Sequence, residues 1–193
     1  MRAAVVLLLL AGLCACMPQR ATIHSARRLF LPKDAAGAPF LKPGLWVERS
    51  QDCRFDESAS SATWPNCAAW MVVRPSVMIT HHHGLPPDSL QTDGFVLSSG
   101  YPRVLQLGAP FRQHAWGYDY RGLRPLAVDG AGAIISARLW SVDCELEPST
   151  ETPATARRSC LTTTRDQARA AIVAAEGLMG KMNTFRWIRG QEN

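Results

Sequence analysis

The sequence predicts a strand-rich α+β protein: an antiparallel sheet of short strands with one principal C-terminal helix and two disulfides. Short β-branched and aromatic runs, bounded by Pro, Gly and Asp, carry the strand prediction. One Asp-Gly turn between apolar runs and one capped segment of helical spacing complete it. A hydrophobic content of 47% is typical of a globular protein and excludes a largely disordered chain. The predicted strands are 45–49, 70–74, 77–80, 95–98, 104–107 and 184–189.

The strongest local signal is a hairpin around Asp129-Gly130. Apolar runs at 126–128 and 133–143 flank the sequence Asp129-Gly-Ala-Gly132. Glycine supplies the positive φ that such a turn requires, so we expect two adjacent antiparallel strands here.

A helix is predicted to begin just after Thr164. Thr164-x-x-Gln167 has the pattern of a capping box. Gly177 lies where a helix commonly ends. Because the apolar stripe between them is mostly alanine, the helix should pack closely against a sheet. The stripe consists of Ala168, Ala171, Ile172 and Ala175.

The chain begins with Met1-Arg2 and an apolar run of 11 residues, 3–13. As a helix this run would be roughly 16 Å long, about half of a bilayer's hydrocarbon core. It is therefore typical of a signal peptide and too short for a membrane-spanning helix.

The run ends in Leu13-Cys14-Ala15-Cys16, which resembles the lipobox of bacterial lipoproteins. The resemblance covers about the first 17 residues and implies cleavage after Ala15, acylation of Cys16 and membrane anchoring through that lipid. Met17 follows the cysteine where Asp would favour the inner membrane, so the outer membrane, with the domain facing the periplasm, is expected. Ordinary secretion with cleavage after Ala15 is the alternative.

These features divide the chain into a signal peptide (1–15), a lipidated basic tether (16–43) and a single disulfide-stapled globular domain (44–193). Residues 17–43 carry a net charge of +4, whereas 44–193 carry equal numbers of basic and acidic residues. A flexible tether of this length would reach on the order of 30 Å. Its charge favours an anionic membrane surface, and a solvated linker is the alternative. Nucleic acid is not an expected partner because the envelope holds none.

Four cysteines remain after Cys14 is removed and Cys16 is acylated. An even number in an exported chain predicts two disulfides. The spacing favours Cys53–Cys67 and Cys144–Cys160, since each pair brackets a polar, turn-rich segment, and a pairing across the two segments stays open. No C-x2-C pair is present, so a zinc site made of cysteines is disfavoured.

His81-His82-His83 is a weak candidate for binding zinc, copper or nickel. On a strand His81 and His83 would share one face. A solvated polar loop is the favoured interpretation, because Gly84-Leu-Pro-Pro87 follows at once. No cofactor is expected.

A second weak candidate is the alternating stretch that ends at Tyr120. Alternation places Trp116, Tyr118 and Tyr120 on one face, and Arg121 follows. Aromatic rings with a nearby arginine could bind a glycan, whereas a buried core face is the commoner outcome.

No motif in the sequence identifies a catalytic residue. It contains no Gly-x-Ser-x-Gly elbow and no phosphate-binding glycine motif in a strand-to-helix context, so an enzyme is not expected. The leading hypothesis is a non-catalytic interaction or structural module of the cell envelope, with an envelope protein or glycan as partner. The alternatives are an envelope lipoprotein that binds a glycan or a divalent metal and, less favoured, an envelope hydrolase.

Overall fold

The computed structural model describes residues 20–37, 39–49, 53–81, 90–92, 94–108, 117–145, 161–177 and 183–190. Antiparallel strands dominate these residues, and they contain one α-helix, which confirms the strand-rich α+β class. Two short 3-10 helices, Pro32–Ala35 and Ser61–Thr63, accompany them. Within this part of the chain, no helix has the length and apolar character needed to cross a membrane.

The predicted runs match strands to within two residues, except that the first strand of the hairpin begins at Tyr118, well before the predicted run 126–128, and several short strands were not predicted. In chain order the strands are β1 (Arg20–Thr22), β2 (His24–Ser25), β3 (Phe40–Leu41), β4 (Gly44–Glu48), β5 (Trp70–Val73), β6 (Met78–His81), β7 (Leu90–Gln91), β8 (Phe95–Leu97), β9 (Arg103–Gly108), β10 (Tyr118–Val128), β11 (Ala133–Ser141), β12 (Asp143–Glu145) and β13 (Asn183–Arg189). The helix α1 is Arg165–Gly177.

The main sheet closes on itself. Its hydrogen-bonded order is β7-β6-β5-β4-β13-β11-β10-β9-β8, and every neighbouring pair on this path is antiparallel. The first and last strands of the path therefore run in the same direction. Only residues 92–94 separate them in sequence, so β7 and β8 follow each other on one stretch of chain, which we call the bent strand. That strand pairs with β6 before the bend and with β9 after it, which closes a cylinder of eight strands when β7 and β8 count as one.

Alternate side chains point into the cylinder and fill it. Cross-strand pairs such as Trp46 with Met71, and Leu105 with Leu97, place large apolar groups face to face. A closed sheet of about this strand number has an interior that side chains can fill. The buried residues of this inner core are Leu41, Trp46, Met71, Val73, Met78, Leu97, Leu105, Leu107, Leu123, Ile134, Ala137, Leu139 and Phe185.

The helix covers the outer face of β10 and β11. The predicted capping box is confirmed: Thr164 Oγ1 accepts a hydrogen bond from Gln167 N, and Gln167 Oε1 accepts one from Thr164 N. Ala168 and Ile172 are fully buried in a second, outer cluster. Trp140 reaches into this cluster and donates its indole N–H to the Ile172 carbonyl at 3.0 Å.

The hairpin from β10 to β11 is confirmed at residues 129–132. The glycine with positive φ in this turn is Gly132, at 80°, whereas the Asp129-Gly130 pattern predicted Gly130. The Asp129 carboxylate shapes the turn by accepting hydrogen bonds from Ala131 N and Ala133 N. β10 also runs through Pro125, where a register shift beside the proline accommodates its missing N–H.

Residues 20–37 form a segment, here called the strap, that is part of the folded unit and lies against the cylinder. β1 pairs with β12, β2 pairs with β10, and the strap's Phe30 is buried in the outer cluster. The expectation of a flexible tether therefore does not describe residues 20–37. Proline and charge in the sequence suggested a linker, but the buried Ile23 and Phe30 give this segment an apolar surface to dock.

The Cys53–Cys67 disulfide is formed, with a Cα–Cα distance of 5.6 Å. The loop it closes lies over the outer face of β4 and β13, where Leu45 and Val47 are buried. Arg186 of β13 pairs with Glu57, and Arg189 donates to the Glu57 and Ala59 carbonyl oxygens. Among the described residues this is one disulfide rather than the two expected, since Cys160 lies outside them.

Candidate functional site

A cleft opens in the wall of the cylinder where the bent strand leaves β6. The hydrogen bonds from the bent strand pass from β6 to β9 at this point, and among the described residues no ladder joins β6 to β8. The cleft has a volume of about 540 Å³. We call it the wedge cleft. It is lined by residues 28, 32, 35, 39–41, 43, 74–76 and 94–97.

Backbone chemistry keeps the wedge cleft open. Gly94 has a φ of 89°, in the left-handed region that favours glycine, and it turns the strand away from β6. Four of the lining residues are prolines, which lack the N–H that would extend a strand ladder across the gap. They are Pro32, Pro39, Pro43 and Pro75.

The floor of the wedge cleft is apolar and reaches the inner core. Leu41 and Leu97 are buried members of that core, and Phe95 packs against it. Phe40 lies at the mouth with 53% of its surface exposed. A concave apolar site of this size lies within the range of about 300–1,000 Å³ for small-molecule sites.

Among the described residues that line the wedge cleft, the charged ones are Arg28 and Arg74, and both are basic. Both are exposed, and none of the described carboxylates forms an ion pair with either of them. The Arg28 guanidinium carbon lies 5.4 Å from the centre of the Tyr118 ring. Asp34 of the strap is turned away, since it accepts from Arg165 and from Leu31 N.

A second cleft, of about 440 Å³, lies beneath the disulfide loop. Its lining includes Cys53, Phe55, Glu57 and Arg186. Of the two arginines in its lining, Arg186 is paired with Glu57, whereas Arg49 is exposed. The Arg186–Glu57 pair holds the disulfide loop against β13.

Arg121, a weak candidate for a glycan contact, points into the cylinder. It shares the inner face with Leu105 across the ladder and with Asp119 two positions earlier on its own strand. Burial lowers the pKa of the Arg121 guanidinium, and the Asp119 charge opposes that shift. The structure does not bring Arg121 to the outer face that Tyr118 and Tyr120 share.

Tyr120 belongs to the outer cluster and is fully buried. Its hydroxyl lies 2.5 Å from Ser25 Oγ, and this contact fastens the strap to β10. Burial raises the pKa of Tyr120. Tyr118 is half-buried beneath Arg28, and Trp116 lies outside the described residues. The two described tyrosines thus serve packing, and they do not form an exposed aromatic platform.

His81 stacks on Trp70 across the ladder, with ring centres 5.1 Å apart. Its Nδ1 is buried and has no hydrogen-bond partner in the described structure. His83 lies outside the described residues. In the described ranges no three histidine, cysteine or acidic side chains are grouped in a way that would hold a metal ion.

The lipidation candidate Cys16 also lies outside the described residues. Cys144 lies on β12, which pairs with β1. Sequence reasoning missed the wedge cleft itself. Arg74-Pro75 was a usable turn signal, but nothing local linked it to Arg28 or to Gly94.

Comparison of the chain with protein-family models, with curated proteins and with solved structures found no match.

Proposed function

We propose that this chain is a lipid-anchored protein of the bacterial cell envelope that acts as a non-catalytic binding module. Cys16 carries the lipid, and the domain faces the periplasm from the outer membrane. The wedge cleft binds a small, largely apolar molecule. This keeps the leading hypothesis of an interaction module without catalysis, and an apolar molecule replaces the glycan or divalent metal of the ligand-binding alternative.

The observation that carries the proposal is the wedge cleft, where Phe40 is 53% exposed at the mouth and the partly buried Phe95 packs against the core residues Leu41 and Leu97. Apolar surface that stays accessible inside a concave site gains free energy when a ligand removes it from water. The described residues near it supply no nucleophile paired with a base, so binding rather than reaction is the activity this geometry supports.

Anchoring follows from the Leu13-Cys14-Ala15-Cys16 pattern. Since β1 begins at Arg20, only residues 17–19 separate the lipid from the folded unit. At 3.3–3.6 Å per residue the leash extends at most about 14 Å. The domain is thus held against the bilayer. Cys144 and Cys160 form a second disulfide in this proposal, as expected for an exported chain.

Membrane fractionation of the Cys16→Ser variant tests the anchor. The wild-type chain should sediment with membranes, and the variant should not. A wild-type chain recovered entirely in the soluble fraction would refute the anchor.

The cleft is tested by calorimetric titration of the full Cys16→Ser chain with decanol, a neutral apolar probe. Phe40→Asp places a charge at the exposed mouth and should weaken binding about tenfold or more. Leu126→Asp is the matched control, because Leu126 is 46% exposed on β10 and does not line the cleft. Equal binding by both variants would place the probe elsewhere and sink the cleft assignment.

A further inference from the structure

The wedge cleft joins an apolar floor to a basic rim. Phe40, Leu41 and Phe95 supply apolar contact surface, while Arg28 and Arg74 are the charged residues of the lining. None of the described residues that line the cleft is acidic. The site is therefore chemically two-sided, and a ligand that matches both sides must be apolar at one end and anionic at the other.

Each arginine is held near the cleft by its own segment. Arg28 belongs to the strap, and one guanidinium nitrogen lies 3.8 Å from the position that a Cβ on Gly94 would take. Arg74 is the first residue of the tight turn closed by the hydrogen bond from Arg74 N to the Val77 carbonyl at 2.9 Å. The Ser76 carbonyl of that turn lies equally close to the same point at Gly94. Strap, turn and bent strand thus meet at one place.

The described acidic groups near this rim pair with other residues. Asp34, between the lining residues Pro32 and Ala35, is occupied by Arg165 at 2.9 Å. Glu57 and Asp129 pair with Arg186 and Lys42, which lie outside the cleft. Like charges next to an apolar surface attract an anion more strongly there than in open water, because the surface reduces the local dielectric.

We propose that the wedge cleft binds a single-chain amphiphile with an anionic head group, such as a fatty carboxylate. This inference rests on the proposed function, because it specifies the ligand of the same site. The alkyl chain lies along Phe40, Leu41 and Phe95, and Arg28 and Arg74 supply charge-assisted hydrogen bonds to the head group. The volume of about 540 Å³ lies in the lower half of the range for small-molecule sites, which favours one chain over the two of a phospholipid.

The test compares decanoate with decanol, two probes of equal chain length that differ in head-group charge. Calorimetric titration uses the full Cys16→Ser chain and its Arg28→Gln, Arg74→Gln and double variants. We expect decanoate to bind about tenfold more tightly than decanol, and the double variant to remove that preference. Arg54→Gln, an exposed arginine outside the cleft, is the matched control and should keep it.

The outcomes separate the inference from the proposed function. Equal binding of the two probes, unchanged in the arginine variants but weakened by Phe40→Asp, would overturn the anionic head group and leave the apolar cleft standing. A decanoate preference that survives in the double variant would also overturn it. Absence of binding by either probe would overturn both. A decanoate preference that falls with rising salt and disappears in the double variant supports the inference.

Discussion

The indole of Trp140 occupies the space that a side chain on Gly122 would need. The two residues are cross-strand partners on β11 and β10, and a Cβ on Gly122 would lie 2.0 Å from the Trp140 ring. The ring in turn donates to the Ile172 carbonyl of α1. Glycine at this position therefore decides how closely the helix approaches the sheet.

Gly122→Ala should destabilise the protein by about 1–3 kcal/mol through overpacking, because the added methyl meets an aromatic ring fixed by its hydrogen bond. Urea unfolding followed by tryptophan fluorescence measures the change. Gly130→Ala is the control, since nothing lies within 4 Å of its Cβ position. Trp140→Phe should recover part of the loss in the double variant, and strictly additive losses would contradict this explanation.

Gln106→Leu should loosen the strap. The buried Gln106 side chain accepts from the Leu29 and Phe30 amides and donates to the Phe30 carbonyl. Leucine leaves these backbone groups without a partner, at a cost of about 1–3 kcal/mol. Hydrogen exchange should accelerate at Leu29 and Phe30 more than at Val104, on the same strand as Gln106. Uniform acceleration across the chain would mean that Gln106 stabilises the whole domain and not the strap.

Removal of the Cys53–Cys67 disulfide should lower the free energy of unfolding by about 3 kcal/mol, the chain-entropy value for a loop of roughly 15 residues. The Cys53→Ala/Cys67→Ala variant, unfolded in urea, gives the measurement. Because the proposed function includes a Cys144–Cys160 disulfide, reductant should lower the urea midpoint of that variant further. An unchanged unfolding curve on reduction would contradict that second bond.

Acid should weaken the hairpin at Asp129. Lys42 and the amides of Ala133 and Ala131 hold the pKa of the Asp129 carboxyl below its ordinary value of 3.8. Because the pKa of Asp129 is lower in the folded protein than in the unfolded chain, its carboxylate stabilises the fold at pH values above the unfolded-state pKa. This stabilisation is lost as the pH falls through the folded-state pKa. The urea concentration at the unfolding midpoint should therefore decrease when the pH is lowered below about 4. Asp129→Asn should flatten that fall, and an unchanged profile would exclude Asp129 as its source.

Local patterns predicted the elements well because their causes are local. The capping box from Thr164 to Gln167 and the turn at Asp129 each involve residues within a few positions of one another. The docking of Phe30 could not be predicted in this way, because its partner Gln106 is 76 positions distant. Nothing in the alternation of Tyr118 and Tyr120 distinguished an exposed platform from a face that a strap and a helix cover.

The candidate site could not be predicted from the sequence for the same reason. Arg28, Arg74 and Gly94 come from three separate segments, and each alone has an ordinary interpretation as linker, turn or loop. Their chemistry emerges only when the sheet closes and brings the segments together. Arg121 points inward because side chains alternate between the two faces along β10. This alternation places Arg121 on the same face as Leu123 and on the opposite face from the two tyrosines.

Strand pairing is uneven around the circumference of the cylinder. On one side β13 and β4 are joined by a ladder of hydrogen bonds from Phe185 to Arg189. On the other side β6 and β8 share no ladder among the described residues. In the part of the chain that the structure describes, strand pairing therefore joins the wall of the cylinder everywhere except at the wedge cleft.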